Sequence, residues 1–184
     1  MVPGRKIIFA LFTDVSVNPQ RHMGVGACLL VPVSFLDRDP QQVERTEVFA
    51  KLRFRRFEET SSTKLEVQTV LWALGEYRAE FGSVDPGTLR VYTDSQCVAG
   101  LLGRRAGLEG TSYIARRSAH ALRNATLYRA FFAAHDDIGF TLFKVAGHAR
   151  ARSHTTVQRV FAHVDQGVRR ELSGWLIESG TLNE

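Results

Sequence analysis

The sequence has little cysteine, little proline and no long apolar run. Its 184 residues include two cysteines, Cys28 and Cys97, and five prolines. Two cysteines make no disulfide framework and suit a reducing compartment, so a cytoplasmic protein is expected. No apolar run approaches the ~20 residues of a membrane span. The stretch from Ile7 to Phe12 is too short for a secretory leader. No membrane association is therefore expected. There is no internal repeat and no low-complexity tract. Hydrophobic types make up 44% and charged types 23%, which excludes a disordered chain. This length and composition predict a single domain over residues 1–184, with a core that needs no disulfide or metal staple. Lys and Arg number 24 against 19 Asp and Glu, a net charge of +5. That excess favours a polyanionic partner only weakly.

What is present is a clear run of elements. Lys6 to Thr13 (KIIFALFT) is continuously apolar, as in a strand buried on both faces, and Asp14 follows it directly. Val17 to Gln20 reads as a turn around Pro19, and Gly24 to Val33 as a second strand. Asp37 to Gln42 is a polar connection. Glu44 to Phe57 reads as a third strand, long enough that it must bend or fray. Ser61, Ser62 and Thr63 offer caps for a helix whose apolar positions recur at Val67, Val70, Leu71, Leu74, Tyr77 and Phe81. Thr63 and Glu66 have capping-box spacing. Leu89 to Thr93 is a fourth strand with Asp94 at its end. Gln96 to Ala134 reads as mostly helical, broken near Gly103, Gly107 and Gly110. Ile138 to Val145 is a fifth strand, Gly147 to His154 a basic loop, and Thr155 to Glu178 a last helix.

The order β-β-β-α-β-α-β-α predicts an α/β fold: a mixed five-stranded sheet, three strands antiparallel and then two parallel, flanked by helices. In such sheets reactive groups gather at the carboxyl ends of the parallel strands. Asp14 and Asp94 end two apolar strands and would sit side by side if those strands are parallel neighbours. Each alone also fits an ordinary turn residue. Glu66 shares a helix face with Val70, Ala73 and Tyr77, where a carboxylate is costly unless paired, capping or metal-bound. Asp165 lies among Phe161, Val168 and Leu172 in the same manner. Four acids converging on one edge would repel one another. Divalent ions resolve that repulsion, and an all-oxygen set suits Mg²⁺, with Mn²⁺ as a substitute. Two such ions can clamp the attacking and leaving oxygens of a phosphoryl centre.

The ordered set Thr13-Asp14-x-Ser16, the Glu66 helix in TKLEVQTVLWAL, Thr93-Asp94-Ser95-Gln96, Gly147-His148 and helical Asp165 resembles type I ribonuclease H. The likeness runs from about Ile7 to Leu172. It implies a ribonuclease H-like fold and an endonuclease that hydrolyses the RNA strand of RNA–DNA hybrids, leaving 5′-phosphate and 3′-hydroxyl ends. It also implies a two-metal site of Asp14, Glu66, Asp94 and Asp165, with His148 assisting proton transfer or product departure. Asn18 and Gln96 match positions that contact the hybrid's minor groove. Ser62 and Thr63 stand where the family has asparagines near the RNA 2′-hydroxyls, the group that distinguishes RNA from DNA. Val15 replaces a glycine, Ala146 a lysine and Phe161 an asparagine of the family pattern, which bears on rate and substrate preference.

Arg104, Arg105, Arg116, Arg117 and Arg123 occupy the interval where many bacterial members carry a basic protrusion. They read as a phosphate grip or as a solvated helix face. Arg150, Arg152 and Arg159 flank the His148 loop and could contact phosphate as well. His154 shares that loop and could share the role of His148. Trp72 and Trp175 read as core. A monomer is expected. Two other functions stay open: the same fold and metals acting on double-stranded RNA or a structured DNA, and a non-catalytic nucleic-acid-binding module. The intact carboxylates argue against the last, because a pure binder has no reason to set four acids opposite a polyanion.

Overall fold

A computed structural model describes residues 7–82, 87–115, 117, 119–146 and 154–181. Lys6, Arg116, Gly147, His148, Arg150 and Arg152 lie outside the described residues. Five strands form one sheet in the order β3-β2-β1-β4-β5. They are β1 (Phe9–Asn18), β2 (Met23–Pro32), β3 (Arg53–Phe57), β4 (Leu89–Thr93) and β5 (Thr141–Lys144). β1 to β3 are antiparallel neighbours, while β4 lies parallel to β1 and β5 parallel to β4. This is the mixed sheet expected from the element order. The helices are α1 (Arg45–Lys51), α2 (Ser62–Phe81), α3 (Gln96–Ala99), α4 (Leu101–Gly110), α5 (Ala125–Ile138) and α6 (Thr156–Thr181). None of the described helices is long and apolar enough to cross a membrane.

Strand side chains alternate between faces. Leu11 and Val91 therefore face α2 and α5, where they pack with Val70, Leu74, Tyr77, Phe131 and Phe132. Ala10, Phe12 and Tyr92 face the other way and pack with Val160, Phe161, Val164 and Val168 of α6. Burial of β1 on both faces is the reason its sequence is continuously apolar. Each large aliphatic or aromatic side chain buried here contributes roughly 1.5–3 kcal/mol relative to exposure. Cys28 belongs to the α2-side core, and burial pushes its thiol up to about 12. Trp175 is buried against α6's core partners, whereas Trp72 is half-buried and donates to Glu76.

Three boundaries differ from the sequence reading. Glu44 to Phe57 is not one strand: Arg45–Lys51 is a helix and only Arg53–Phe57 pairs with β2. The helix forms because tertiary contacts outweigh local β preference. Val48 is fully buried, and Glu47 is held by Arg38 and, one turn on, by Lys51. Gly103 and Gly107 do not break the helical interval that follows β4. The chain bends at Gly100, and both glycines lie within α4, since glycine weakens a helix by only ~1 kcal/mol. Ile138 closes α5 instead of opening β5, and Gly139 caps that helix at φ 69°.

The approach of α2 to the sheet depends on two glycines. A methyl group at Gly26 would overlap the Thr69 side chain, and one at Gly24 would overlap Leu65. These missing side chains let α2 lie close enough on β2 to bring its first turns beside the end of β1. Gly26→Ala should therefore overpack this contact and lower stability by about 1–3 kcal/mol. Urea unfolding checks it. The midpoint should fall, and adding Thr69→Ala should restore part of the loss.

Candidate active site

β1 and β4 hold parallel register up to the pair Phe12 and Tyr92. Two residues further along each chain stand Asp14 and Asp94, carried to one face by the two-residue repeat. The apolar run before Asp14 predicts a strand end there. In fact β1 continues to Asn18, paired with β2, and Asp14 sits where its parallel pairing stops. That position is why the residue is buried, at 8% exposure, instead of solvated. Asp14, Glu66 and Asp94 line one small pocket with Thr13, Val15, Thr93 and Ser95. Asp165, on α6, acts on Asp14 through its charge.

Each acid has a different local partner. Ser95 Oγ donates to Glu66 Oε2 at 2.6 Å, and the same oxygen accepts from the Val98 backbone N–H at 3.1 Å, capping α3. The expected capping box is not formed: α2 begins at Ser62 after a Ser61 cap with no side-chain bond, and Glu66 turns to Ser95. Asp165 Oδ1 accepts from Arg169 Nε at 2.7 Å, one turn along α6. Asp14 Oδ2 is buried with no hydrogen-bond partner among the described residues. Burial first, and then the charges of Asp94 and Asp165, push the Asp14 carboxyl up to about 8. The Val15 backbone and the Arg169 guanidinium oppose this without reversing it.

The donor set is all carboxylate oxygen, which fits a hard divalent cation. The orphaned, buried Asp14 oxygen fits one as well, because a bound cation would supply the missing partner. As they stand, no three His, Cys, Asp or Glu side chains among the described residues are gathered tightly enough to hold an ion. Glu66 instead accepts from a hydroxyl and Asp165 from a guanidinium, and Asp14 keeps its proton.

The remaining predicted residues are spread around this pocket. Asn18 closes β1, its Oδ1 accepting from the N–H groups of Gln20 and Arg21. Ser62 and Thr63 are exposed on the first turn of α2, one turn before Glu66. Gln96 opens α3, and its side-chain oxygen accepts from Lys144 of β5. Arg104 folds back on the carbonyls of Gly100 and Cys97 and lines a separate groove with Gly103, Gly107 and Leu108. Arg105 is committed to Asp136, through two bonds of 2.5 and 2.8 Å, and to Glu109. Arg117 is exposed. Sequence reasoning assigned no role to Ser95, Arg169 or Lys144. The signals available were the position of Ser95 before a helix and the four-residue spacing of Asp165 and Arg169.

This arrangement of sheet, helices and pocket is a ribonuclease H-like fold. Neither a family model nor a curated protein matches the sequence. Solved structures match across most of the chain. LC9-RNase H1, a type 1 RNase H with the type 2 active-site motif, has a TM-score of 0.57 at 16% identity, covering 89% of this chain and 73% of its own. LC11-RNase H1 in complex with RNA/DNA hybrid has 0.53 at 11%, covering 89% and 99%. The foamy viral protease-reverse transcriptase in complex with dsDNA has 0.53 at 11%, covering 91% and 98%.

Asp14 makes stability depend on pH. The folded chain holds the Asp14 proton up to about pH 8, whereas an unperturbed aspartate releases it near 3.8. Between those values the folded state binds more protons than the unfolded one. Its stability therefore falls as pH rises through this window. Asp14→Asn should remove that part of the slope and stabilise the metal-free protein at pH 8 by as much as a few kcal/mol. Melting curves at pH 5 and pH 8 read it as a smaller loss between the two pH values than in the wild type. An identical loss in both proteins would contradict the Asp14 assignment.

Proposed function

We propose that the protein is a metal-dependent nuclease that hydrolyses the RNA strand of RNA–DNA hybrids, leaving 5′-phosphate and 3′-hydroxyl ends. The observation that carries this reading is the gathering of Asp14, Glu66 and Asp94 in one pocket where the parallel pairing of β1 and β4 stops, with Asp165 acting on Asp14 from α6. The hybrid bound to LC11-RNase H1, which has the same fold, supports it.

Asp14, Glu66, Asp94 and Asp165 would hold Mg²⁺, or Mn²⁺ in its place. Such ions, when bound, lower the pKa of a coordinated water and stabilise the oxygen that leaves phosphorus. The chain's own groups set the stage for this. Ser95 orients the Glu66 carboxylate. Arg169 holds the Asp165 carboxylate and offsets part of its charge on Asp14. Gln96, fixed by Lys144, and Asn18 present amides to sugars and base edges of the minor groove. Ser62 and Thr63 offer hydroxyls to the RNA 2′-oxygens. Arg104, Arg116 and Arg117 supply phosphate contacts, while Arg105 would first have to release Asp136. His148 passes a proton at the leaving group or the departing product. The chain acts as a cytoplasmic monomer in this reading.

The test is cleavage of labelled hybrid, RNA duplex and DNA duplex, with Mg²⁺ and with EDTA. Hybrid alone should be cut, on the RNA strand, and only with metal. Asp94→Asn should lower the rate on the order of a hundredfold or more, because a bound metal supplies several kcal/mol of charge stabilisation. Hybrid binding should survive in the mutant. Cutting of RNA duplex in preference to hybrid, or undiminished turnover by Asp94→Asn, would overturn the reading.

A further inference from the structure

On the α6 side of the sheet three aromatic rings stack across three strands. Phe12 of β1 lies on Tyr92 of β4, with centroids 4.7 Å apart and planes 13° apart. Tyr92 lies on Phe143 of β5 at 5.1 Å and 20°. The register explains the stack, since Phe12 is opposite Tyr92 and Tyr92 opposite Phe143. Exposure rises along it, from 0% at Phe12 through 7% at Tyr92 to 38% at Phe143. β5 is the last strand of the sheet, so the stack ends on an open ring. α6 packs on β1 and β2, which leaves this end of the face less covered.

A cation lies over that ring. Arg90 of β4 has its guanidinium 5.9 Å from the Phe143 centroid. It occupies a position paired with buried Ala10 on one side and exposed Thr141 on the other. It forms no ion pair among the described residues, although most of the fold's other sheet arginines do: Arg53 and Arg56 each hold two glutamates. A part-exposed aromatic ring, with a guanidinium over it that pairs with no carboxylate among the described residues, is chemistry suited to a planar, anionic ligand. One pleat further along the same strands come Asp14 and Asp94. Two residues of strand span about 7 Å, so the acids stand on the same face as the ring stack, one row along the strands from it.

We infer that Phe143, with the Arg90 guanidinium over it, is a stacking platform for an unpaired nucleobase that flanks the hybrid held at Asp14 and Asp94, on the same face of the sheet. This rests on the nuclease reading. The base would extend the ring stack by one member, and Arg90 would meet its phosphate. A base within a duplex has both faces covered by its neighbours, so the platform selects a single-stranded flank over continuous hybrid. Stacking on an aromatic ring tolerates any base, so the preference is for strandedness and not for sequence. The substrate class this favours is a hybrid with a single-stranded extension.

The experiment measures binding in EDTA, by fluorescence anisotropy, to three substrates: a blunt hybrid, the same hybrid with a short oligothymidine tail, and the same hybrid with an abasic tail of equal phosphate number. Tails are placed at each end of each strand in separate substrates. The thymidine tail at one end should tighten wild-type binding about tenfold over abasic, as stacking on one aromatic ring is worth, and somewhat more over blunt, since the abasic tail keeps the phosphate that Arg90 meets. Phe143→Leu should bring the tailed-to-blunt ratio close to one, and Phe143→Trp should keep it. Arg90→Gln should shrink it, and provides a second arm if Phe143→Leu does not fold. A wild-type protein without any tail preference, an abasic tail as good as thymidine, or a ratio unchanged in folded Phe143→Leu would overturn the inference. Those results alongside metal-dependent hybrid cleavage would sink the platform alone, whereas absence of that cleavage would sink the nuclease reading itself.

Discussion

A carboxylate kept out of water beside others of its kind is the constraint on which the site depends. Asp14 is 8% exposed, has a buried oxygen without a partner among the described residues, and feels the charges of Asp94 and Asp165. Leaving it ionised and unpaired would cost several kcal/mol. The metal-free protein relieves this by holding the proton to about pH 8. The neighbouring acids find a hydroxyl or a guanidinium within reach, Glu66 on Ser95 and Asp165 on Arg169. A site that stabilises itself by protons and local donors is one from which a divalent cation could displace them.

The fold places this constraint by register. Parallel pairing of β1 with β4 stops at Phe12 and Tyr92, and the next inward positions on the α6 side are the two aspartates. Gly24 and Gly26 let α2 come close to β2, which sets Glu66 at the same edge. α6 crosses the opposite face with Val160, Val164 and Val168 buried, and this delivers Asp165 from the other side. The same pleat that sets the acids in one row sets Phe12, Tyr92 and Phe143 in the row behind them. Acidic and aromatic rows are consequences of one strand alignment.

Much of this was legible in the residues because the strongest signals are local. A run such as KIIFALFT has to be buried on both faces, and the 3.6-residue spacing from Val67 to Phe81 has to be a helix. Asp14 and Asp94 stood out as charges closing apolar strands. What escaped depended on distant partners. α1 is seven residues long and exists through the burial of Val48 and the grip of Arg38 on Glu47, nine residues away. Ser95 meets Glu66 across 29 residues, and Arg105 meets Asp136 across 31. The latter turns a supposed phosphate contact into one member of an ion pair. The open end of the ring stack depends on the β4–β5 register, which no local pattern records.

In the reading proposed above, the acids of β1, α2, β4 and α6 form one cation site. It is tested most directly by melting the protein across a titration of Mg²⁺. A cation that binds only the folded chain raises the melting temperature in proportion to the logarithm of its concentration once the site fills. The wild-type protein should show that rise at neutral pH. The Asp14→Asn, Asp94→Asn double mutant should melt higher without metal and fail to respond to it. A wild-type melting temperature indifferent to Mg²⁺, or an equal rise in the double mutant, would contradict the claim.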